Sequence, residues 1–156
     1  MNRPLYETAK NLTNELKVMR VLAEELNCTY EKIENVSYGV DYFCTTSNGV
    51  RVIEIKCRKK KYPFWLIAMH KILTASQWEA VGVPCWLCVH WEEDGSIYMA
   101  RPCAPEESTP YTVEWNGRTK MKRGDKSDME PHARFLLKDL YLVGRAKEVI
   151  TQPLSV

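Results

Sequence analysis

The sequence has 156 residues, 45% hydrophobic and 27% charged, with five tryptophans and eight tyrosines, which suits one domain with a real core and excludes a disordered chain. A formal net charge of only +2 provides no global basic field, so any polyanion partner must be held by local clusters. The longest apolar stretch, around Val81 to Trp91, is far too short to span a bilayer, and no membrane partner is expected.

Leu5 to Leu26 reads as an amphipathic helix, with Leu5, Leu12, Leu16, Met19, Leu22, Ala23 and Leu26 on one stripe. Glu15 falls inside that stripe, either at its edge and turned to solvent or aimed at a site against a sheet. Tyr30 to Val36 is a first strand or connector. Val40 to Thr45 and Val50 to Arg58 are strand-like runs separated by TSNG, whose Asn-Gly pair signals a hairpin. After Pro63 comes a short strand, then a helix over about Leu73 to Val81, ended by Gly82 and Pro84. VPCWLCVHW reads as a buried strand, EEDG as a turn and SIYMARP as its hairpin partner. YTVEW is a further strand, while EPHARFLLKDLYLVG admits a strand, a helix, or a strand running into a helical turn. The six cysteines have no second C-x-x-C or His pair at zinc spacing and no secretory leader ahead of them, so free thiols are expected. His70 and His90 lie in apolar stretches and read as core or hydrogen-bonded histidines, and the tryptophans at 65, 78, 86 and 91 as core.

The charges within the first hairpin are less ordinary. Asp41 interrupts one apolar run and Glu54 and Lys56 the other, although an unpaired ion on a buried strand is costly. Val52, Glu54 and Lys56 share one face of their strand, and the hairpin can bring Asp41 beside them. Paired carboxylates on adjacent strands suit a hard divalent cation, which lowers the pKa of a bound water and neutralises charge on a phosphoryl oxygen. A lysine on the same face can orient the attacking water or stabilise the phosphorus it attacks. The bland alternative is a cross-strand ion pair. Two cationic clusters, Arg58 to Lys61 and the 117–126 segment, read as solvated loops or as phosphate-backbone contacts. Asp125, Asp128, Glu130 and His132 in KRGDKSDMEPH read as part of a solvated loop, with a substrate contact as the alternative.

The order of long helix, Asp on a strand, E-x-K on the next strand, cations, helix and buried strand resembles the PD-(D/E)xK nuclease superfamily, which includes restriction endonucleases, phage exonucleases and archaeal Holliday-junction resolvases. GVDYF resembles the first half of its motif and VIEIK the second, over roughly Leu5 to Pro102. Val40 stands where the motif has proline, and Gln77 lies where some exonuclease members carry a helix glutamine, in a surrounding pattern that does not match well.

The resemblance implies an α/β fold with a restriction-endonuclease-like core, a mixed central sheet flanked by helices. It further implies Mg²⁺ (Mn²⁺ substituting) on Asp41, Glu54 and a first-helix glutamate, for which Glu15 is the candidate, with Lys56 as the catalytic lysine. Phosphate contacts would come from Arg58, Lys59, Lys60, Lys61, Lys71, Arg118, Lys120, Lys122 and Arg123. The expected activity is metal-dependent endo- or exonucleolytic cleavage of DNA, in a layout nearest to small phage nucleases and resolvases. The alternative is a nuclease-fold binding or inhibitor protein without turnover. One nuclease-like domain over 1–150 (core 5–102, extension 103–150), a disordered tail at 151–156, a homodimer and a cytoplasmic location in a prokaryotic or phage-infected cell complete the expectations.

Overall fold

The computed structural model describes residues 9–117 and 129–146. The elements are α1 (Ala9–Leu26), β1 (Thr29–Lys32), a short 3-10 turn (Val36–Tyr38), β2 (Tyr42–Thr46), β3 (Gly49–Arg58), β4 (Phe64–Ala68), α2 (Met69–Ala80), β5 (Cys85–Trp91), β6 (Ser96–Ala100), β7 (Thr112–Asn116), β8 (Glu130–Leu136), a second 3-10 turn (Leu137–Asp139) and β9 (Tyr141–Arg145). Six strands form a central sheet in the order β1-β2-β3-β5-β6-β9, and three form a smaller sheet, β4-β8-β7. Among the described residues only β3 and β5 run parallel, and every other pairing is antiparallel. β4 and α2 make the crossover that a parallel neighbour needs.

β3 divides the core because its alternate residues point to opposite faces. Ile53 and Ile55 meet Val18, Met19 and Leu22 of α1 on one side. Val52 meets Val40, Ala75 and Cys85 on the other, with α2. Beyond it, Leu87, Val89 and Trp91 of β5 pack with Ile72 of α2 and with Trp65, Ile67, Ala133 and Phe135 of the small sheet. β5 is therefore covered on both faces, as its unbroken apolar sequence requires.

Several expectations are corrected. The buried stripe of α1 runs through Val18, Met19 and Leu22, while Leu12 and Leu16 remain 37% and 38% exposed, because the sheet covers only the later turns. The helix over 73–81 begins at Met69, directly out of β4, and Ala68 offers no capping side chain that would mark this start. The first strand is shorter than Tyr30 to Val36 and ends at Lys32. The hairpin turns on Ser47–Asn48, with Gly49 already paired to Thr46 at φ +115°, a conformation that favours glycine. EPHARFLLKDLYLVG resolves into two strands around a 3-10 turn; β8 joins β4 and β9 joins β6, so the C-terminal segment completes both sheets. All six cysteines are free. His90 is buried, whereas His70 lies exposed on α2. No helix among the described residues is long and apolar enough to cross a membrane. The 151–156 tail lies outside the described residues.

Candidate active site

Asp41 immediately precedes β2. Its N–H bonds the Ile53 carbonyl at 3.0 Å, and its carbonyl accepts the Ile33 N–H at 2.8 Å. β2 begins at Tyr42 opposite Ile53, so the Ile55 N–H lies beyond the strand's backbone partners. The Asp41 side chain takes over, its Oδ2 accepting that N–H at 2.8 Å. Strand geometry thus fixes the carboxylate beside Glu54.

Glu54 lies on the α2-facing side of β3 and is only 2% exposed. A buried carboxylate needs compensation, and its Oε1 receives two ammonium groups, Lys56 Nζ at 3.0 Å and Lys71 Nζ at 2.9 Å. Lys71 comes from the first turn of α2 and also donates to the Gly39 carbonyl at 3.2 Å. Gly39 has φ +70°, and a Cβ there would stand 2.8 Å from Thr74 Cγ2. Glycine is what allows the segment leading to Asp41 to lie against α2.

Glu15 points inward from α1. Its Oε2 accepts from Lys32 Nζ at 3.0 Å, and the same ammonium stands 3.7 Å from Asp41 Oδ1 and 5.1 Å from the Tyr42 ring centroid. Burial first, and then the charges of Glu54 and Glu15, push the Asp41 carboxyl up to about 6, against the Ile55 N–H and the Lys32 charge, which lower it. Burial, followed by the Glu15 charge, pushes Tyr42 up to about 12.

These acids offer hard oxygen donors at a place already rich in negative charge, which suits a divalent cation. Among the described residues, no group of three or more His, Cys, Asp or Glu side chains is placed to hold a metal ion. The carboxylates that could hold such an ion are Asp41 and Glu54, while Glu15 is tied to Asp41 by the Lys32 ammonium between them. Two carboxylates suffice for Mg²⁺, which keeps several of its waters.

The other expected site residues disperse. Lys59 and Lys60 are exposed, as is Arg58, whose guanidinium bonds the Cys57 carbonyl. Lys61 is withdrawn: its Nζ lies 2.6 Å from Asp94 and its N–H donates to Glu93, both in the turn after β5. Arg118, Lys120, Lys122 and Arg123 lie outside the described residues, as do Asp125 and Asp128. Gln77 is exposed on α2, and Trp115 is 65% exposed on β7. Lys32 was not anticipated. As a lone lysine at a strand end it carries no sequence signal, and only the β1–β2 pairing beneath α1 brings it to the acids.

Comparison with known proteins agrees with the fold. The structure is similar to that of Hjc, a Holliday junction resolvase from the archaeal hyperthermophile Archaeoglobus fulgidus, with TM-score 0.53 and 10% identity over 84% of this chain and 87% of that one. At that identity the likeness shows the fold, which is restriction-endonuclease-like. No curated protein matches the chain. A family model described as "Phage putative PDDEXK endonuclease" matches residues 1–143, well past the Pro102 limit of the motif resemblance. The chain belongs to this family of phage PDDEXK endonucleases.

Proposed function

We propose that the chain is a divalent-metal-dependent endonuclease that hydrolyses phosphodiester bonds of DNA, with branched DNA as the favoured substrate form. The observation that carries this reading is the buried Glu54 on β3, flanked by Asp41 and answered by Lys56 on its own face. Asp41 and Glu54 would hold Mg²⁺, or Mn²⁺ in its place, with Glu15 assisting from α1. When bound, the ion acidifies water and neutralises charge on the phosphate oxygens.

The chain's own residues supply the remainder. The Ile55 N–H holds Asp41 in a single orientation. Lys56 extends from the floor of the site toward solvent, where its ammonium can donate to the attacking water or to the phosphate oxygen gaining charge. In hydrolysis the water oxygen bonds to phosphorus, one ester P–O bond breaks, and a water proton ends on the leaving oxygen. Arg58, Lys59 and Lys60, on the continuation of β3, would track the backbone beyond the scissile phosphate. Support for a branched substrate comes from the fold shared with a protein described as a Holliday junction resolvase. A two-fold homodimer would let so small a chain cut two strands.

The test is cleavage of labelled duplex, flap and four-way-junction DNA by wild type and Lys56→Ala, with Mg²⁺, Mn²⁺ or EDTA. Metal-dependent cutting, reduced about 10²–10⁴-fold in the variant and strongest on the junction, supports the reading. Tight DNA binding by a folded wild type that cuts nothing would replace it with a binding module.

A further inference from the structure

Strand alternation in β4 sends Trp65 and Ile67 into the core and leaves Phe64 and Leu66 on the outer face of the small sheet. Tyr62, two residues before Phe64 and 49% exposed, lies against the Phe64 ring, with centroids 5.9 Å apart and planes 25° from parallel. The Arg134 guanidinium of β8 stands 4.0 Å from the centre of that same ring, and Glu114 of β7 pairs with it at 3.3 Å. The result is an aromatic pile braced across all three strands of the small sheet, with Tyr62 its exposed member. Immediately ahead of it in the chain come Arg58, Lys59 and Lys60, all exposed.

Resting on the proposed action on branched DNA, we propose that Tyr62 is a stacking platform for an unpaired base of the substrate, so that the protein favours branch points carrying single-stranded nucleotides. Charge and shape select this occupant. Arg134 is committed to Glu114 and Lys61 to Asp94, so neither is free to hold a phosphate at the rings. An aromatic face instead attracts the π-face of a base, with little regard to sequence. Lys60 is two residues from Tyr62, at most about 7 Å along the chain. One stretch of strand can therefore lay phosphates on Lys59 and Lys60 and a base on Tyr62. Inside a duplex both faces of each base are covered by its neighbours, so an unpaired nucleotide is what offers one. The Phe64 ring, itself held under Arg134, orients the tyrosine before DNA arrives, which lowers the cost of ordering it on binding.

The test is fluorescence anisotropy of wild type, Tyr62→Ala and Tyr62→Phe on two labelled DNAs, in Ca²⁺ and in EDTA, alongside melting temperatures. One DNA is a short duplex with a thymidine tail of about six nucleotides, and the other is the same duplex with an abasic tail of equal length. The two tails carry the same phosphate charge and differ only in the bases. Wild type should bind the thymidine tail about tenfold more tightly than the abasic one. Tyr62→Ala should lose that preference, and Tyr62→Phe, which keeps the ring, should retain it. Equal wild-type affinity for the two tails overturns the proposal, a comparison that needs no variant. A folded Tyr62→Ala that keeps the preference also overturns it, and shows the tyrosine merely supporting the small sheet. Neither result bears on cleavage, which the same preparations report separately in Mg²⁺, whereas a wild type that binds neither DNA removes both readings.

Discussion

Glu54 is a carboxylate on a buried strand face, and such a group persists only where opposite charge meets it. Lys56, two residues along the same strand, is the partner that alternation foresees. Lys71 is one that it does not, because the contact depends on how α2 returns over the sheet. Asp41 titrates high for related reasons: burial and then its acidic neighbours hold its carboxyl near 6 in the metal-free protein. Because that value lies above the unfolded-state one, its contribution to stability is full below the ordinary carboxylate range. It is lost as the pH rises through about 6. Carboxyl-detected NMR should find Asp41 titrating near pH 6, and Glu54→Gln should lower its midpoint by removing a like charge. An Asp41 midpoint near 4 in the metal-free wild type would contradict the crowding of acids described above.

At the scale of elements, the site depends on how closely β2, β3 and α2 approach one another. Gly39→Ala places a methyl against Thr74 and forces a left-handed backbone on alanine, so it should destabilise the protein by about 1–3 kcal/mol in a denaturant melt. A loss below a few tenths would mean that the approach is looser than it looks. The turn after β5 has its own fastening. Burial would raise the Asp94 carboxyl, but hydrogen bonds from Lys61 and Ser96 outweigh it and hold the group well below its ordinary range. The stabilisation is thus full above the unfolded value of 3.8 and lost as the pH falls below it. Asp94→Asn should cost about 1 kcal/mol at pH 7, with the difference from wild type shrinking in acid melts.

Legibility also divides by element. The β2–β3 hairpin, β5 and β6 are readable because alternation and turn residues are local signals. The start of α2 is hidden because β4 passes into it with no capping residue. The residues of β8 and β9 suit helix and strand equally in isolation, and only pairing with β4 and β6 decides between them. In the candidate site, the approach of Asp41, Glu54 and Lys56 follows from hairpin pairing and strand alternation, and the inward turn of Glu15 from its place on α1, while their roles remain the proposal made above. Lys32 depends on long-range packing and was not legible.

For the whole molecule, a net charge of +2 means that DNA affinity must come from a few placed cations rather than from the global field. Lys59→Ala and Lys60→Ala should each weaken DNA binding whatever its sequence and lower the salt slope by about 1. Lys61→Ala should leave that slope nearly unchanged, because its ammonium is already committed to Asp94. Equal effects at all three positions would show that Lys61 leaves Asp94 when DNA arrives.

The central claim, that Asp41 and Glu54 form a metal-dependent hydrolytic centre, is most directly tested by Asp41→Asn. Asparagine keeps an oxygen for the Ile55 N–H but loses the charge, so the fold should survive. Cleavage of junction DNA should be followed across a Mg²⁺ titration for wild type and variant, with the fold of each verified by circular dichroism. The account predicts Mg²⁺-dependent cutting by wild type and at least about a hundredfold loss in the folded variant. Undiminished cutting by Asp41→Asn, or equal cutting by wild type in EDTA, would contradict it.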